Sequence, residues 1–515
     1  MSKKDFDLTR REFLLKSTLL SASTVTAPFA LNLFAMNALA ATATYSSYKA
    51  LVCVFLAGGN DHNNMVIAND TNSLIGYQAA RSIGGGATIA LNPTSMLQLT
   101  PVTTKSDSVY GAPADRSFAL HPVMTELQAL FNTNKHVAII PNVGPLVRPI
   151  SDTIGTAPRD LYQANPGWRP SNLFSHSDQT SQWSNTNTNV TEKNFGWGGR
   201  IADFISTSNT YSQYTSMSTS GNSLFLAGKN INQYQITANG VPVPITGFTN
   251  FGLNPNTLKE IISKQYSTGT NKFELDHADV VNRAIAAQQN LADVFTATTS
   301  MAPANDPAVK YINPNNNLST DNSLAIQLRT VARMIAGRSL LSANRQVFFV
   351  TLGGFDTHDF QATNHANLMA RLSHGINYFY NQMQGLSDGG TGNMNDKVTL
   401  FTASDFGRTF ASNGDGTDHG WGAHHFVSGA AVKGGEIYGN FPMTAVTGTI
   451  RSTTTAPLKF DNPIDVRSGN FIPQYSVDQY AATLAQWFGV DPVADIPTIF
   501  PNLANFTTKN LGFMV

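Results

Sequence analysis

Three short segments of the sequence place acidic side chains directly after apolar runs, and each begins with small residues. The segments are AGGNDHNN (57–64), GGFDTHDFQ (353–361) and SDFGRT (404–409). Carboxylate oxygen and imidazole nitrogen are common ligands of divalent metals in proteins. The single cysteine, Cys53, excludes a cluster of thiolate ligands. The residue types therefore favour a metal site built from Asp and His.

The candidate metal ligands are Asp61, Asp356, His358, Asp405 and His419. Asp356 and His358 are two residues apart, which in an extended loop turns both side chains to the same side. Asp405 stands at the end of its apolar run, and His419 lies in a glycine-rich segment shortly after it. For Asp61 and Asp356 the alternative is a turn in which the carboxylate caps nearby backbone.

Arg408 follows the third apolar run, and its guanidinium could hold an anionic oxygen in bidentate fashion. His424 and His425 are either site residues or the first residues of the next strand. The sequence has no GxxxxGK[ST], GxSxG or HExxH motif. This absence argues against phosphate-loop nucleotide hydrolysis, serine-esterase chemistry and thermolysin-like proteolysis.

Apolar runs rich in Val, Ile, Phe and Leu are typical of the strands that must position these residues. Four are strong and the last is weaker: Leu51–Leu56, Val137–Ile140, Val347–Leu352, Val398–Ala403 and Phe426–Val432. None alternates cleanly, which favours strands covered on both faces of a parallel sheet. Ligands of open α/β sheets bind at the carboxyl ends of the strands, so we expect the three segments to meet at one edge.

Helical periodicity separates these runs, with apolar residues spaced by three and four positions. Examples are Leu120, Met124, Leu127 and Phe131, and then Leu368, Leu372, Ile376, Phe379 and Met383. Further helices are expected at about 256–266, 274–297 and 324–341, and Ser476 with Gln479 indicates a capping box before the last helix. The predicted fold class is α/β, a doubly wound, mainly parallel sheet with helices on both faces. A segment rich in Asn, Ser, Thr and Gly, about 175–260, is expected to be an irregular insertion.

The first residues are typical of a twin-arginine signal peptide. TRREFLLK contains Arg10 and Arg11, and a mildly apolar run leads to the small-x-small pattern at 38–40. We predict a signal peptide over 1–40 and one mature α/β domain over 41–515. The expected location is the periplasm or the exterior of a bacterium, with the twin-arginine translocase as export partner. The alternative is an uncleaved membrane anchor, although the apolar run is too weak for a stable span.

The amino-acid composition limits the classes of partner that the protein is expected to bind. The chain has 515 residues and is 41% hydrophobic, which is enough for a large core. Lys plus Arg and Asp plus Glu both total 33, so the formal net charge is zero. No overall field would attract nucleic acid, and we expect no nucleic acid partner.

Taken as a set, eight segments spread over the chain resemble a family of exported proteins known as domain of unknown function 1501 (DUF1501). They are AGGNDHNN (57–64), FALHPVMTELQALF (118–131), PNVGPLV (141–147), LFSHSDQ (173–179), GGFDTH (353–358), SDFGRT (404–409), GTDHGW (416–421) and AVKGGEIYG (431–439). That family is similar to the alkaline phosphatase and sulfatase superfamily. The resemblance implies an alkaline phosphatase-like fold and one or two divalent metal ions, either Zn, Ca, Mg or Mn.

The resemblance also implies roles for the candidate residues. Asp61 matches the first-strand metal aspartate, Asp356 with His358 the mid-chain pair, Asp405 the later strand-end carboxylate, and His419 the final histidine. The expected function is an exported metal-dependent hydrolase of phosphate or sulfate esters that acts on a small-molecule ester. Its candidate catalytic residues are Arg408 and His176. The alternative is a non-catalytic secreted metal-binding or assembly protein on the same fold.

Overall fold

A computed structural model describes residues 47–82, 88–104, 116–150, 158–186, 194–240, 272–300, 303, 305–442 and 462–515. Residues Ser47–Val515 form one compact unit. The signal peptide predicted over 1–40 and the helix expected at about 256–266 lie outside the described residues. Within the described ranges no helix combines the length and the apolar character that crossing a membrane requires.

The strands are short except for those at the centre of the main sheet. In chain order they are β1 (Lys49–Ala57), β2 (Val66–Ala68), β3 (Leu97–Gln98), β4 (Phe118–Leu120), β5 (Val137–Gly144), β6 (Ser216–Ser218), β7 (Tyr234–Gln235), β8 (Lys310–Ile312), β9 (Ser319–Asp321), β10 (Arg345–Gly353), β11 (Val398–Ser404), β12 (Ala423–Ser428), β13 (Glu436–Ile437) and β14 (Tyr475–Ser476). Four of the predicted strands are present as β1, β5, β10 and β11, whereas the run predicted over Phe426–Val432 shares only its first three residues with β12.

The main sheet has nine strands among the described residues. Its order is β13-β5-β12-β11-β1-β10-β6-β7, and β14 also pairs with β5. Strand β1 lies parallel to both β10 and β11, whereas β12 is antiparallel to β11 and to β5. The predicted α/β class is confirmed, with a central sheet that is mixed and mostly parallel. The buried residues Ala50–Leu56 of β1 explain its continuous apolar run, because neighbouring layers cover both faces.

The helices lie between the strands. In chain order they are α1 (Thr71–Arg81), α2 (Thr125–Asn132), α3 (Pro158–Ala164), α4 (His176–Asn185), α5 (Trp197–Ile205), α6 (Lys272–Ala297), α7 (Ser323–Ala336), α8 (Gln361–Gly385), α9 (Val477–Phe488) and α10 (Ile496–Ile499). The apolar stripe from Leu368 to Met383 is buried on α8. The predicted capping box of Ser476 and Gln479 begins α9 with both of its hydrogen bonds formed.

The segment expected as an irregular insertion does more than cover the sheet. Its described part holds α4 and α5, and it supplies β6 and β7, which extend the main sheet beyond β10. Two- and three-residue strands have too few positions to show a period in the sequence, so they were not predicted.

The sheet topology gathers the candidate loops. Strands β1, β10 and β11 run in one direction, so the loops after Ala57, Gly353 and Ser404 leave the same edge. Strand β12 runs the opposite way, and its first residue, Ala423, therefore lies at that edge too. The glycine-rich segment before β12 is brought to the three loops for this reason.

Candidate metal centre

The carboxylate of Asp356 is the point on which the site converges. Its Oδ1 atom accepts a hydrogen bond from Nη1 of Arg408 at 2.8 Å. The Nε2 atoms of His358 and His419 lie 3.1 and 3.2 Å from the same oxygen. On the other side, Nε2 of His176 lies 3.6 Å from Oδ2. Two strand-end loops, the segment before β12 and helix α4 thus meet at one carboxylate.

The orientation of two imidazoles follows from what their second nitrogens contact. Nδ1 of His176 is 2.7 Å from Oδ2 of Asp405, and Nδ1 of His419 is 2.7 Å from the carbonyl oxygen of Phe174. An ionised carboxylate and a carbonyl can only accept, so each Nδ1 carries the proton and donates it. Each ring therefore turns its Nε2 toward Asp356.

His358 has the same arrangement on the solvent side. Its Nδ1 is 3.3 Å from Oδ1 of Asp418, and its Nε2 is 3.0 Å from Nε2 of His419. Three imidazole Nε2 atoms and a carboxylate therefore face one another, an arrangement in which a cation could lie between them. Histidines that bind a metal usually donate their other N–H to an oxygen acceptor in this way.

Three of these residues fit a single ion. His176, Asp356 and His419 each offer one ligand atom, and the three atoms lie within 4.8 Å of one another. Two imidazole nitrogens and one carboxylate oxygen form a donor set typical of catalytic zinc, which keeps a fourth position open. His358 adjoins this group through His419. Asp405 lies behind His176 and orients it.

Glycines allow the loops to pack this closely. Gly58 has φ +115°, and a Cβ atom there would lie 2.4 Å from the backbone nitrogen of Asp356. Gly59 has φ +81°, and its Cβ would lie 2.3 Å from the ring of Phe406. The backbone N–H of Gly58 donates to Oδ1 of Asp405 at 3.2 Å. Larger residues would separate the β1 loop from the two loops that carry the carboxylates.

Helix α4 brings in His176 as its first residue. Ser175 caps the helix, and its hydroxyl contacts Asp178 and Ser177 rather than the site. The residue before it, Phe174, has φ +73°, which turns its carbonyl to His419. The sequence identified His176 as a candidate but gave no sign of the ligand position that it occupies here.

Arg408 lies behind Asp356 with a side chain that is 0% exposed. Its Nε donates to Oγ1 of Thr417 at 3.2 Å, and its Nη2 donates to the carbonyl of the same residue. Nη1 donates to Asp356. With these donors directed at protein atoms, the geometry favours a role in holding Asp356 over the expected clamp on a substrate oxygen.

Asp61 does not join the cluster. Its side chain is fully buried, and Arg81 donates to both carboxylate oxygens, at 2.5 and 2.8 Å. Gln361 donates to Oδ2 as well, at 2.5 Å. Burial alone would raise the pKa of Asp61, but the charge and hydrogen bonds of Arg81 hold it below its usual range. The structure places Asp61 in a buried ion pair behind the site, where its oxygens already have partners.

The protonation states of Asp356 and His419 favour the binding of a cation. Burial would raise the pKa of Asp356, yet the hydrogen bond and charge of Arg408 keep it below its usual value. Burial lowers the pKa of His419, and the positive charge of Arg408 adds to this effect. Asp356 is thus an anion and His419 a neutral imidazole near neutral pH, which are the forms that bind a metal.

His424 and His425 are buried residues of β12. Nδ1 of His424 accepts from the backbone N–H of Asn142, and Nδ1 of His425 lies 3.3 Å from Oγ1 of Thr402. The sequence left two interpretations open for this pair, site residues or the first residues of the next strand. The structure supports the second interpretation.

A comparison with models of known protein families supports the resemblance that the eight sequence segments indicated. The chain matches the family model described as protein of unknown function (DUF1501) over residues 48–458, a range that contains every residue of the cluster. No curated protein matches the chain. The match covers well over half of the sequence, and the chain therefore belongs to the DUF1501 family.

Proposed function

We propose that the protein is a metal-dependent hydrolase of phosphate or sulfate esters with an alkaline phosphatase-like fold. One observation carries the proposal, the convergence of three imidazole Nε2 atoms on Asp356 while each Nδ1 contacts an oxygen acceptor. This arrangement lies where the strand-end loops of an α/β sheet bind their ligands.

The proposed ligands are His176, Asp356 and His419, with Asp405 and the carbonyl of Phe174 orienting the two imidazoles. Of the four metals considered, this mixture of nitrogen and oxygen favours Zn²⁺ or Mn²⁺. Ca²⁺ and Mg²⁺ prefer sites made of oxygen alone.

A bound divalent ion supplies positive charge that polarises an ester oxygen and lowers the pKa of a water molecule. Arg408 holds the Asp356 carboxylate in place for this chemistry. His358, 40% exposed and oriented by Asp418, presents an Nε2 lone pair that can take up a proton from water. Among the described residues, no hydroxyl group hydrogen-bonds to His176, Asp356 or His419, and we propose water as the nucleophile.

The direct test is hydrolysis of a panel of aryl phosphates and aryl sulfates by protein loaded with Zn²⁺ or Mn²⁺. Asp356→Ala is expected to abolish turnover and to weaken metal binding. Asp396→Ala is the matched control, because Asp396 is 48% exposed against 46% for Asp356 and its carboxylate pairs with Lys397, away from the cluster. Inactivity of the wild-type protein with every metal and both ester classes would refute the proposal.

The second candidate is a non-catalytic secreted protein that binds one structural metal or takes part in an assembly. One observation favours this candidate: the buried Arg408 donates its hydrogen bonds to Thr417 and Asp356. Its guanidinium is therefore less available to bind a substrate anion. A metal that raises the unfolding temperature without conferring turnover on any ester would support this candidate.

Export by the twin-arginine route belongs to the same proposal, with cleavage near residue 40 and a periplasmic or extracellular mature protein. Replacing Arg10 and Arg11 together by Lys is expected to retain the precursor in the cytoplasm. Immunoblots of cell fractions measure this, and unchanged export of the double variant would argue against the route.

A further inference from the structure

Gln361 is the first residue of α8 and lies buried behind the metal centre. Its Oε1 accepts hydrogen bonds from Oγ1 of Thr357 at 3.1 Å and from Oγ1 of Thr417 at 2.6 Å. Its Nε2 donates to Asp61 at 2.5 Å. The amide of one side chain therefore connects the β1 loop, the β10 loop and the segment before β12.

The same path continues to the site. Thr417 accepts from Nε of Arg408 through the hydroxyl oxygen that donates to Gln361. Arg408 in turn donates to Asp356. We name the side chains of Arg81, Asp61, Gln361, Thr417 and Arg408 the buried polar network; all five are buried. Water cannot replace any of its hydrogen bonds without entering the interior, so each bond restricts the next.

The direction of every bond in the network follows from Asp61. Its carboxylate, paired with Arg81, can only accept, so the Gln361 amide must turn its NH₂ group toward it. The amide oxygen then faces Thr417, whose hydroxyl proton it takes. This leaves a lone pair of the Thr417 oxygen for Arg408. A flipped amide would set its oxygen against the Asp61 carboxylate and its donors against the two threonine hydroxyls.

We propose that Gln361 is a positioning residue of the metal centre, which transmits the fixed orientation of the Asp61–Arg81 pair through Thr417 to Arg408 and so holds the Asp356 carboxylate. This inference rests on the proposed metal-dependent function, since it assigns what sets the geometry of that site. The side-chain hydrogen bonds of Gln361 among the described residues go to Thr357, Thr417 and Asp61, and to none of the three proposed ligands.

Two substitutions interrupt the network at different points. Gln361→Met keeps the length of the side chain but removes its donor and its acceptor. Thr417→Val removes only the hydroxyl, and leaves the backbone carbonyl that accepts from Arg408 Nη2. Loss of an outer partner of a metal ligand costs roughly 10- to 100-fold in metal affinity, and we expect each variant to bind Mn²⁺ about 10-fold more weakly.

Gln346→Met is the matched control. Gln346 is as deeply buried as Gln361, accepts from the hydroxyl of Tyr48 and donates to the carbonyl of Tyr214. It lies near the start of β10, whereas Asp356 follows the end of that strand. The control thus removes a buried amide of the same kind without touching the network.

The experiment compares these variants with the wild-type protein by two measurements. Calorimetric titration with Mn²⁺ gives the metal affinity. Without metal, NMR of protein labelled with ¹⁵N-arginine gives the solvent exchange of the Arg408 Nε–H, assigned with Arg408→Lys. We expect Gln361→Met and Thr417→Val to weaken Mn²⁺ binding and to accelerate this exchange, and Gln346→Met to do neither.

The two readouts keep the inference separate from the proposed function. A wild-type protein that binds neither Mn²⁺ nor Zn²⁺ would defeat the proposed metal centre, yet the Arg408 exchange would still test the network. If Gln361→Met and Thr417→Val match Gln346→Met in both measurements, the positioning role is overturned. Should Gln361→Met fail to fold, Thr417→Val alone decides.

Discussion

Lowering the pH from 7 to 5 is expected to destabilise the folded protein strongly, because several of its histidines are buried in the neutral form. Burial lowers the pKa of His62 and of His365 to about 4. It lowers the pKa of His121 and of His425 to about 3. These side chains belong to the loop after β1, the segment after β4, helix α8 and strand β12, so the effect is spread through the core.

The sign follows from the protons bound in each state. An unfolded histidine takes up a proton near pH 6.5, whereas these folded ones stay neutral down to about pH 4. Between these values the unfolded state binds more protons, so the free energy of unfolding falls as the pH drops. At pH 5 each histidine lowers it by about 2 kcal/mol, and the four together by about 8 kcal/mol.

Asp478 acts in the opposite direction. Burial raises its pKa to about 7, so the folded state keeps a proton that the unfolded carboxyl releases near 3.8. The free energy by which buried Asp478 destabilises the folded state therefore decreases by about 2 kcal/mol between pH 7 and pH 5. The expected net loss from these four histidines and Asp478 is therefore about 6 kcal/mol, which is comparable with the whole stability of many proteins.

Urea unfolding of the metal-free protein, followed by tryptophan fluorescence at pH 7, 6 and 5, measures this loss. His425→Gln is expected to reduce the pH dependence by about one proton, or about 2 kcal/mol across the range. His136→Gln is the comparison variant: burial lowers the pKa of His136 too, but this side chain is only half-buried, so its replacement is expected to change the pH dependence less. A free energy of unfolding that is equal at pH 7 and pH 5 would refute the neutral burial of these histidines.

Three further predictions concern single residues. Asp61→Ala leaves the buried charge of Arg81 without its partner and is expected to lower the free energy of unfolding by about 3–5 kcal/mol in urea titrations, and a loss below 1 kcal/mol would contradict the buried pair. Asp405→Ala frees Nδ1 of His176 and is expected to weaken Zn²⁺ binding about 10- to 100-fold in competition with a chelating dye; unaltered affinity would exclude the orienting role. Ser476→Ala removes the cap of α9 and is expected to cost about 1 kcal/mol in thermal unfolding, with no effect on metal affinity.

Much of the site could be predicted from the sequence because it lies on loops whose position the strands determine. The apolar runs that became β1, β10 and β11 are long and buried, and parallel pairing brings their carboxyl ends together. Asp356, His358 and Asp405 follow two of these ends directly. Their meeting is a consequence of strand direction alone, and no knowledge of side-chain packing is needed to expect it.

The remaining features depend on contacts that have no local pattern. The partner of Asp61 is Arg81, and that pairing depends on how α1 packs, with Tyr77 and Ala80 in one buried cluster with Phe410 from the segment after β11. His176 reaches the site from a segment whose composition predicts irregular structure. The reversed direction of β12 is set by its pairing with β5 and β11, because a short apolar run carries no information about the direction of its strand.

The single cysteine offers a way to observe the core directly. Cys53 lies in the middle of β1, buried, with β10 and β11 on either side. Because the sequence contains one thiol, any covalent label attached under native conditions reports an opening that exposes the centre of β1 to solvent. The rate at which a thiol reagent labels Cys53 in the unmodified protein thus measures how often the core around β1 opens.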